Sequence, residues 1–174
     1  MRHEHPTDHW YTPPKFLQPI IDANEGMWID VMTSPLTPEV EGLYKYFWGD
    51  IHTDEFLDKV VEYIMTEDCE NLRLWGNPPY SAASGGAQKH IERLLTYPPL
   101  ARKLVGSVFL VNYDAWVPRL AMKYNAKVAL VYPRIQFITE FGKPGPSPRH
   151  ANALIIVGDV NIPEELGKYR RLMT

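Results

Sequence analysis

Leu74-Trp75-Gly76-Asn77-Pro78-Pro79-Tyr80-Ser81 places an amide, two prolines and an aromatic directly behind a short apolar run, Leu72 to Trp75. Apolar residues that stop abruptly at such punctuation read as a buried strand running into a loop. Each proline fixes φ near about −65° and removes a backbone donor, so the segment beyond the strand is stiff and presents carbonyl oxygens as acceptors. An Asn oxygen and the Pro78 carbonyl can together accept both hydrogens of a planar NH2 group, and Tyr80 offers a face for a heterocycle.

The rest of the chain supplies a frame for that strand. Met27 to Met32 is a second apolar run, carrying Asp30 and stopping at Thr33-Ser34-Pro35. Val105–Val111, Lys127–Tyr132, Arg134–Ile138 and Ala153–Val157 read as further strands. Helices are predicted after Thr12-Pro13-Pro14, with Thr12 as cap, Phe16, Leu17, Ile20 and Ile21 on one face and an end near Gly26. Others are expected over residues 54–66, within Ser84 to Thr96, and after a capping Asp114. Strands alternating with helices predict an α/β layered fold with a mostly parallel sheet. In such sheets, ligands sit beyond the carboxyl ends of the strands.

With 174 residues and 45% hydrophobic composition, one core and one domain (1–174) are expected. The lone Cys69 excludes an internal disulfide framework, and the polar start of the chain has no apolar leader, so a soluble, cytoplasmic protein is expected. His3, His5 and His9 read as a frayed end rather than metal ligands. Net charge is −3, but residues 1–88 carry five Lys and Arg against fifteen Asp and Glu, whereas residues 89–174 carry thirteen against six. Such a basic half is suited to face a polyanion.

The two strand ends then suggest a chemistry. Accepting both protons of an amine draws electron density onto its nitrogen and favours a pyramidal lone pair that an electrophilic methyl can meet in line. The acid at Asp30, on the neighbouring strand end, suits a ribose hydroxyl or an ammonium group of the methyl donor. In these residues the chain resembles the phage-type DNA N6-adenine methyltransferases, which use S-adenosylmethionine on a Rossmann-like sheet. The matching pieces are Trp10-Tyr11-Thr12-Pro13, similar to the cofactor segment; Ile29-Asp30-Val31-Met32-Thr33-Ser34-Pro35, similar to a shortened cofactor loop; and Asn77-Pro78-Pro79-Tyr80-Ser81, similar to the amino-methylation motif. Tyr44 to Phe47 and Arg134 to Phe137 are fainter echoes.

The resemblance implies that Asn77 and Pro78, with Pro79 stiffening the turn, accept from the target amine. It implies stacking of the extruded base on Tyr80, and a cofactor pocket lined by Trp10, Tyr11, Thr12, Pro13, Asp30, Ser34, Pro35 and Asn77. A DNA partner is implied as well, met by Ser81 and Arg134; Lys143 and Arg149 are phosphate candidates from their charge and their place in the proline-rich loop 141–150. Protein-glutamine and RNA methyltransferases use the same tetrad, and a non-catalytic binding relative is a further alternative. The loop after Asp30 lacks a glycine-rich turn, and Val31-Met32 stands where smaller residues fit more easily. From Asp30 to Asn77 is only 47 positions, short for two further strand and helix units at about 30 residues per βαβ unit. One unit is expected to be missing or abbreviated, with no segment left for a separate target-recognition domain.

Overall fold

The computed structural model describes residues 10–46, 49–67, 69–79, 86–131, 134–139, 141–145 and 150–163, and the backbone of 170–172. Seven strands form one sheet: β1 (Trp28–Asp30), β2 (Leu43–Lys45), β3 (Leu72–Gly76), β4 (Leu104–Asn112), β5 (Lys127–Val131), β6 (Asn152–Gly158) and β7 (Arg170–Leu172). Their spatial order is β2-β1-β3-β4-β6-β5-β7. β2, β1, β3 and β4 pair in parallel; β6 runs antiparallel between β4 and β5, and β7 pairs antiparallel with β5. Five strands therefore point one way and two the other, a mixed α/β sheet. Between β1 and β3 the described residues hold β2 and one helix, one strand and helix unit rather than two.

The helices are α1 (Pro14–Asp22), α2 (Asp54–Thr66), α3 (Ala87–Thr96), the short α4 (Pro98–Ala101) and α5 (Trp116–Lys123). Strand periodicity sorts the core into two layers. Leu72, Leu74, Phe109 and Val111 pack with the apolar stripes of α2, α3 and α5. Trp75, Val108 and Leu110, from the alternate positions, pack instead with Phe16, Leu17, Ile20 and Ile21 of α1. The central strand β4 is covered on both faces, which explains its nearly continuous apolar run.

Local chemistry sets the helix ends, and it corrects several expectations. Thr53 caps α2, its hydroxyl accepting from the Phe56 N–H at 3.4 Å. Thr12 caps nothing: Pro13 occupies the cap position of α1 with no side-chain bond, and Pro14, whose missing N–H costs nothing there, opens the helix. α1 ends at Asp22 rather than near Gly26, and α3 starts at Ala87. Asp114 binds the adjacent Ala115 N–H at 2.6 Å, while Ala115 holds the cap position of α5.

Residues 134–138 do not form a sheet strand. Ile135 and Phe137 are buried against the α1 layer, and only Ile138 pairs, bridging to Tyr11 and to Pro144. The segment is a strap that fastens the N-terminal stretch through two backbone bonds, Tyr11 N–H to Ile138 O (2.9 Å) and Ile138 N–H to Tyr11 O (3.0 Å). Ion pairs join the acidic and basic halves of the chain, Arg93 with Asp54 and Arg73 with Asp159.

Arg73 is the main polar clip at the opposite, amino end of the sheet. Only 6% exposed, it donates from Nε to the Asp159 carbonyl at 2.8 Å and from Nη1 to the Glu25 carbonyl, and it reaches the Asp159 carboxylate at 3.4 Å. Arg73→Met keeps the aliphatic stem but strands those acceptors. Urea unfolding is expected to show a loss of about 2–4 kcal/mol; a loss below about 0.5 kcal/mol would contradict a structural clip.

Candidate active site

The strand order itself marks a position for a site. From β1 the chain goes to β2 on one side and then returns to β3 on the other, so the order reverses between β1 and β3. At such a reversal the loops leaving neighbouring strands diverge and open a crevice beyond their carboxyl ends. A solvent-open cleft of about 140 Å³ occupies that place. The polar part of its wall comes from three stretches, Trp10 to Thr12, Asp30 to Ser34, and Trp75 with Asn77, and Leu17 of α1 and Thr37, Pro38, Val40 and Leu43 ahead of β2 complete it.

These stretches converge for identifiable reasons. The first is pinned by the Tyr11–Ile138 backbone pair, the second leaves β1, and the third leaves β3. Asp30 and Trp75 are register partners across β1 and β3, which puts the acid one short step from the Asn77 turn. Asn77 and Pro79 are half-buried and Pro78 is buried.

Asp30 is 5% exposed, with Oδ1 accepting the Met32 N–H at 2.9 Å. Burial pushes its carboxyl up from the ordinary 3.8 to about 7, against a smaller lowering by that N–H and by the Lys45 charge. Lys45 itself is held by the Thr37 carbonyl at 2.8 Å and by Glu39. The cleft thus contains an acid poised to change charge near neutrality. Two hydroxyls, Thr12 Oγ1 and Thr33 Oγ1, are buried without a hydrogen-bond partner. Orphaned polar atoms carry a desolvation penalty, which a ligand's own polar groups relieve.

Of the residues singled out in the sequence, Trp10, Tyr11, Thr12, Asp30, Ser34 and Asn77 line the cleft together. Pro13 is buried at the start of α1, and Pro35 is exposed in the turn beyond Ser34; neither lines it. Arg134 and Lys143 are exposed on the strap and the turn that follows it. Tyr80, Ser81, Arg149 and the N-terminal histidines lie outside the described residues. Trp75, Met32 and Thr33 were missed as wall residues, their only sequence signal being proximity to Asn77 and Asp30, and so were Leu17 and the 37–43 stretch, which carried none.

Comparison with known proteins adds no assignment: no protein-family model matches the chain, and no curated protein matches it significantly.

Met32 contributes to the cleft's lining where it leaves β1, and its side chain packs on the α2 and α3 face of the sheet. A Cβ built at Gly76 would lie 2.3 Å from the Met32 terminal methyl and 2.9 Å from the Phe109 ring, so the methionine lies across the end of β3, and glycine at 76 makes room for it. The cleft is smaller than the roughly 300–1,000 Å³ of pockets that hold small-molecule ligands.

Proposed function

We propose that the protein transfers a methyl group from S-adenosylmethionine to the N6 amine of adenine in DNA. The observation that carries this reading is the juxtaposition, in one crevice at the strand-order reversal, of the Asp30 carboxyl and the proline-stiffened Asn77. The wall fits the cofactor's chemistry. Asp30 and the unpartnered Thr12 and Thr33 hydroxyls match a ribose and an ammonium group, while Tyr11 and Trp75 provide apolar surface for an adenine ring. When bound, S-adenosylmethionine supplies an electrophilic methyl group.

The remaining steps belong to the chain's own residues. Asn77 Oδ1 and the Pro78 carbonyl accept the two amine hydrogens and hold the nitrogen lone pair toward the methyl. Held by Asp30, Thr12 and Thr33, the sulfonium donor would give up its methyl to that lone pair and keep the S–C electron pair on sulfur, and the extra proton on nitrogen would pass to water, so no strong base is required. Rigidity matters because a near-attack geometry converts positioning into rate, and two consecutive prolines supply it. Taking adenine out of a duplex costs a few kcal/mol, least for single-stranded DNA, so single-stranded substrates are expected to react at least as well as duplex.

The test is mass spectrometry of nucleosides after incubating DNA with the protein and cofactor. Formation of N6-methyl-2′-deoxyadenosine is expected; unchanged adenine across single- and double-stranded substrates would overturn the assignment. One observation favours a second acceptor, a protein glutamine amide. Part of the basic half is neutralised by Arg93–Asp54 and Lys123–Glu92 pairs, which lowers the charge available to a polyanion. Failure of excess DNA to compete with transfer to a glutamine peptide would favour that acceptor.

A further inference from the structure

The outer wall of the cleft comes from the loop between β1 and β2, and two side chains pin that loop. Gln18 of α1 takes both backbone groups of Glu41, donating from Nε2 to the carbonyl at 2.9 Å and accepting the N–H on Oε1 at 3.0 Å. Lys45 of β2 donates from Nζ to the Thr37 carbonyl at 2.8 Å and pairs with Glu39. Thr37, Pro38 and Val40, which line the cleft, lie at or between those pins.

Gln18 ties the loop to a helix, whereas Lys45 ties it to the acid of the cleft. Lys45 and Asp30 are register partners across the β1–β2 pair. Alternation puts both side chains on the α1 face, because Trp28 and Leu43, two positions earlier on each strand, pack in the α1 layer. The two residues therefore stand side by side on strands about 4.8 Å apart, and the lysine's charge acts on the Asp30 carboxyl. Only 10% of the Lys45 side chain is exposed, against 82% for Glu39. A cation drawn so far out of water is costly to hold unless acidic groups face it, and Asp30 and Glu39 are the two beside it. Around Asp30, β3 contributes Trp75 and α1 contributes Leu17; Tyr11 is the other titratable residue of the lining, and no further charged side chain lines the cleft among the described residues.

We propose that Lys45 is a positioning residue for the methyl donor: one ammonium fixes the outer wall of the cleft and holds a positive charge beside Asp30. The proposal rests on the methyltransferase reading and adds a control to its cofactor site. A neighbouring cation favours the carboxylate over the acid, so the charge that fastens the wall also readies Asp30 for the donor's hydroxyl or ammonium group.

The experiment follows S-adenosylmethionine affinity by isothermal titration from about pH 5.5 to about pH 8.5 in the wild type, Lys45→Met and Glu39→Gln. Beside it, NMR follows the Asp30 carboxyl in each ligand-free protein, assigned through Asp30→Asn. Methionine keeps the buried stem and removes the charge and the donor. In Lys45→Met the carboxyl is expected to titrate about one pH unit higher than in the wild type. Affinity then levels off about one unit higher as well, about tenfold weaker near pH 6 but within about threefold near pH 8.5. Glu39→Gln removes the competing anion, so the carboxyl is expected to titrate about half a unit lower, with binding near pH 6 about threefold tighter. A lysine that only pins the wall weakens binding equally at every pH and leaves the carboxyl titration where the wild type has it; that result would overturn the proposal. Should Lys45→Met not fold, Glu39→Gln decides alone, and a titration and affinity profile unmoved from the wild type would overturn it. Cofactor binding by the wild type with no carboxyl shift in either variant sinks only the role of Lys45. Carboxyl shifts in a protein that binds no cofactor at any pH sink the methyltransferase reading and leave Lys45 coupled to Asp30.

Discussion

Asn77→Ala is expected to lower methyl transfer by about a hundred- to a thousandfold while leaving S-adenosylmethionine affinity within about twofold. The magnitude is that of removing one pre-aimed hydrogen-bonding group from a reacting centre. The asymmetry between the two readouts comes from position. Asn77 stands at the rim where the cleft meets the turn leaving β3, whereas the groups suited to hold a cofactor come from residues 10–12 and 30–34. The check is single-turnover transfer beside calorimetric cofactor binding. Equal losses in both would mean that Asn77 shapes the cofactor site, and an unchanged rate would remove it from the chemistry.

Asp30→Asn is expected to act on the other half of the site and in the opposite sense on the fold. Its carboxyl, raised to about 7 in the folded chain from 3.8 in the unfolded one, keeps a proton that the unfolded chain releases. Stability therefore falls as pH rises from about 4 to about 7, by up to about 4 kcal/mol, and stays level above that. The isosteric amide keeps the acceptor for the Met32 N–H and escapes this loss, so the ligand-free variant is expected to melt higher than wild type at pH 8. Cofactor binding is expected to weaken about ten- to a hundredfold, the value of a charged hydrogen bond. Wild-type affinity is expected to climb with pH up to about 7, close to tenfold per pH unit below it, because hydroxyl or ammonium donors bind the ionised carboxyl. The variant's affinity should be flat with pH. A variant that binds as well as wild type at pH 8 would place the ligand elsewhere.

The parts of the fold that could be read from the sequence are those where burial writes a pattern into residue type. β1, β3, β4, β5 and β6 are apolar runs ending at turn residues, and each was located to within a few positions. β2 is three residues long, with only Leu43 of the three buried, too short to write any period. Residues 134–138 misled because alternation reports only that every second side chain is buried. Ile135 and Phe137 are, yet the backbone pairs only at Ile138. Strand direction leaves no trace in residue type, so the antiparallel insertion of β6 between β4 and β5 was not foreseeable.

The site followed the same division. Asp30 and Asn77 were legible because each follows an apolar run and carries a polar group where a loop departs. Of the two roles expected for Thr12, the helix cap fails, since the helix begins one residue later on prolines that need no cap, and its hydroxyl is left to the cleft. The packing of Met32 against Gly76 is a contact that sequence spacing does not encode.

The most direct measurement is an isothermal titration of S-adenosylmethionine into the wild type, Asn77→Ala and Asp30→Asn at pH 8. One site per chain in the wild type, nearly the same affinity in Asn77→Ala and a loss of at least about tenfold in Asp30→Asn are the predicted results. No binding heat in the wild type at millimolar cofactor, or binding that ignores Asp30, would contradict a methyl-donor site between β1 and β3.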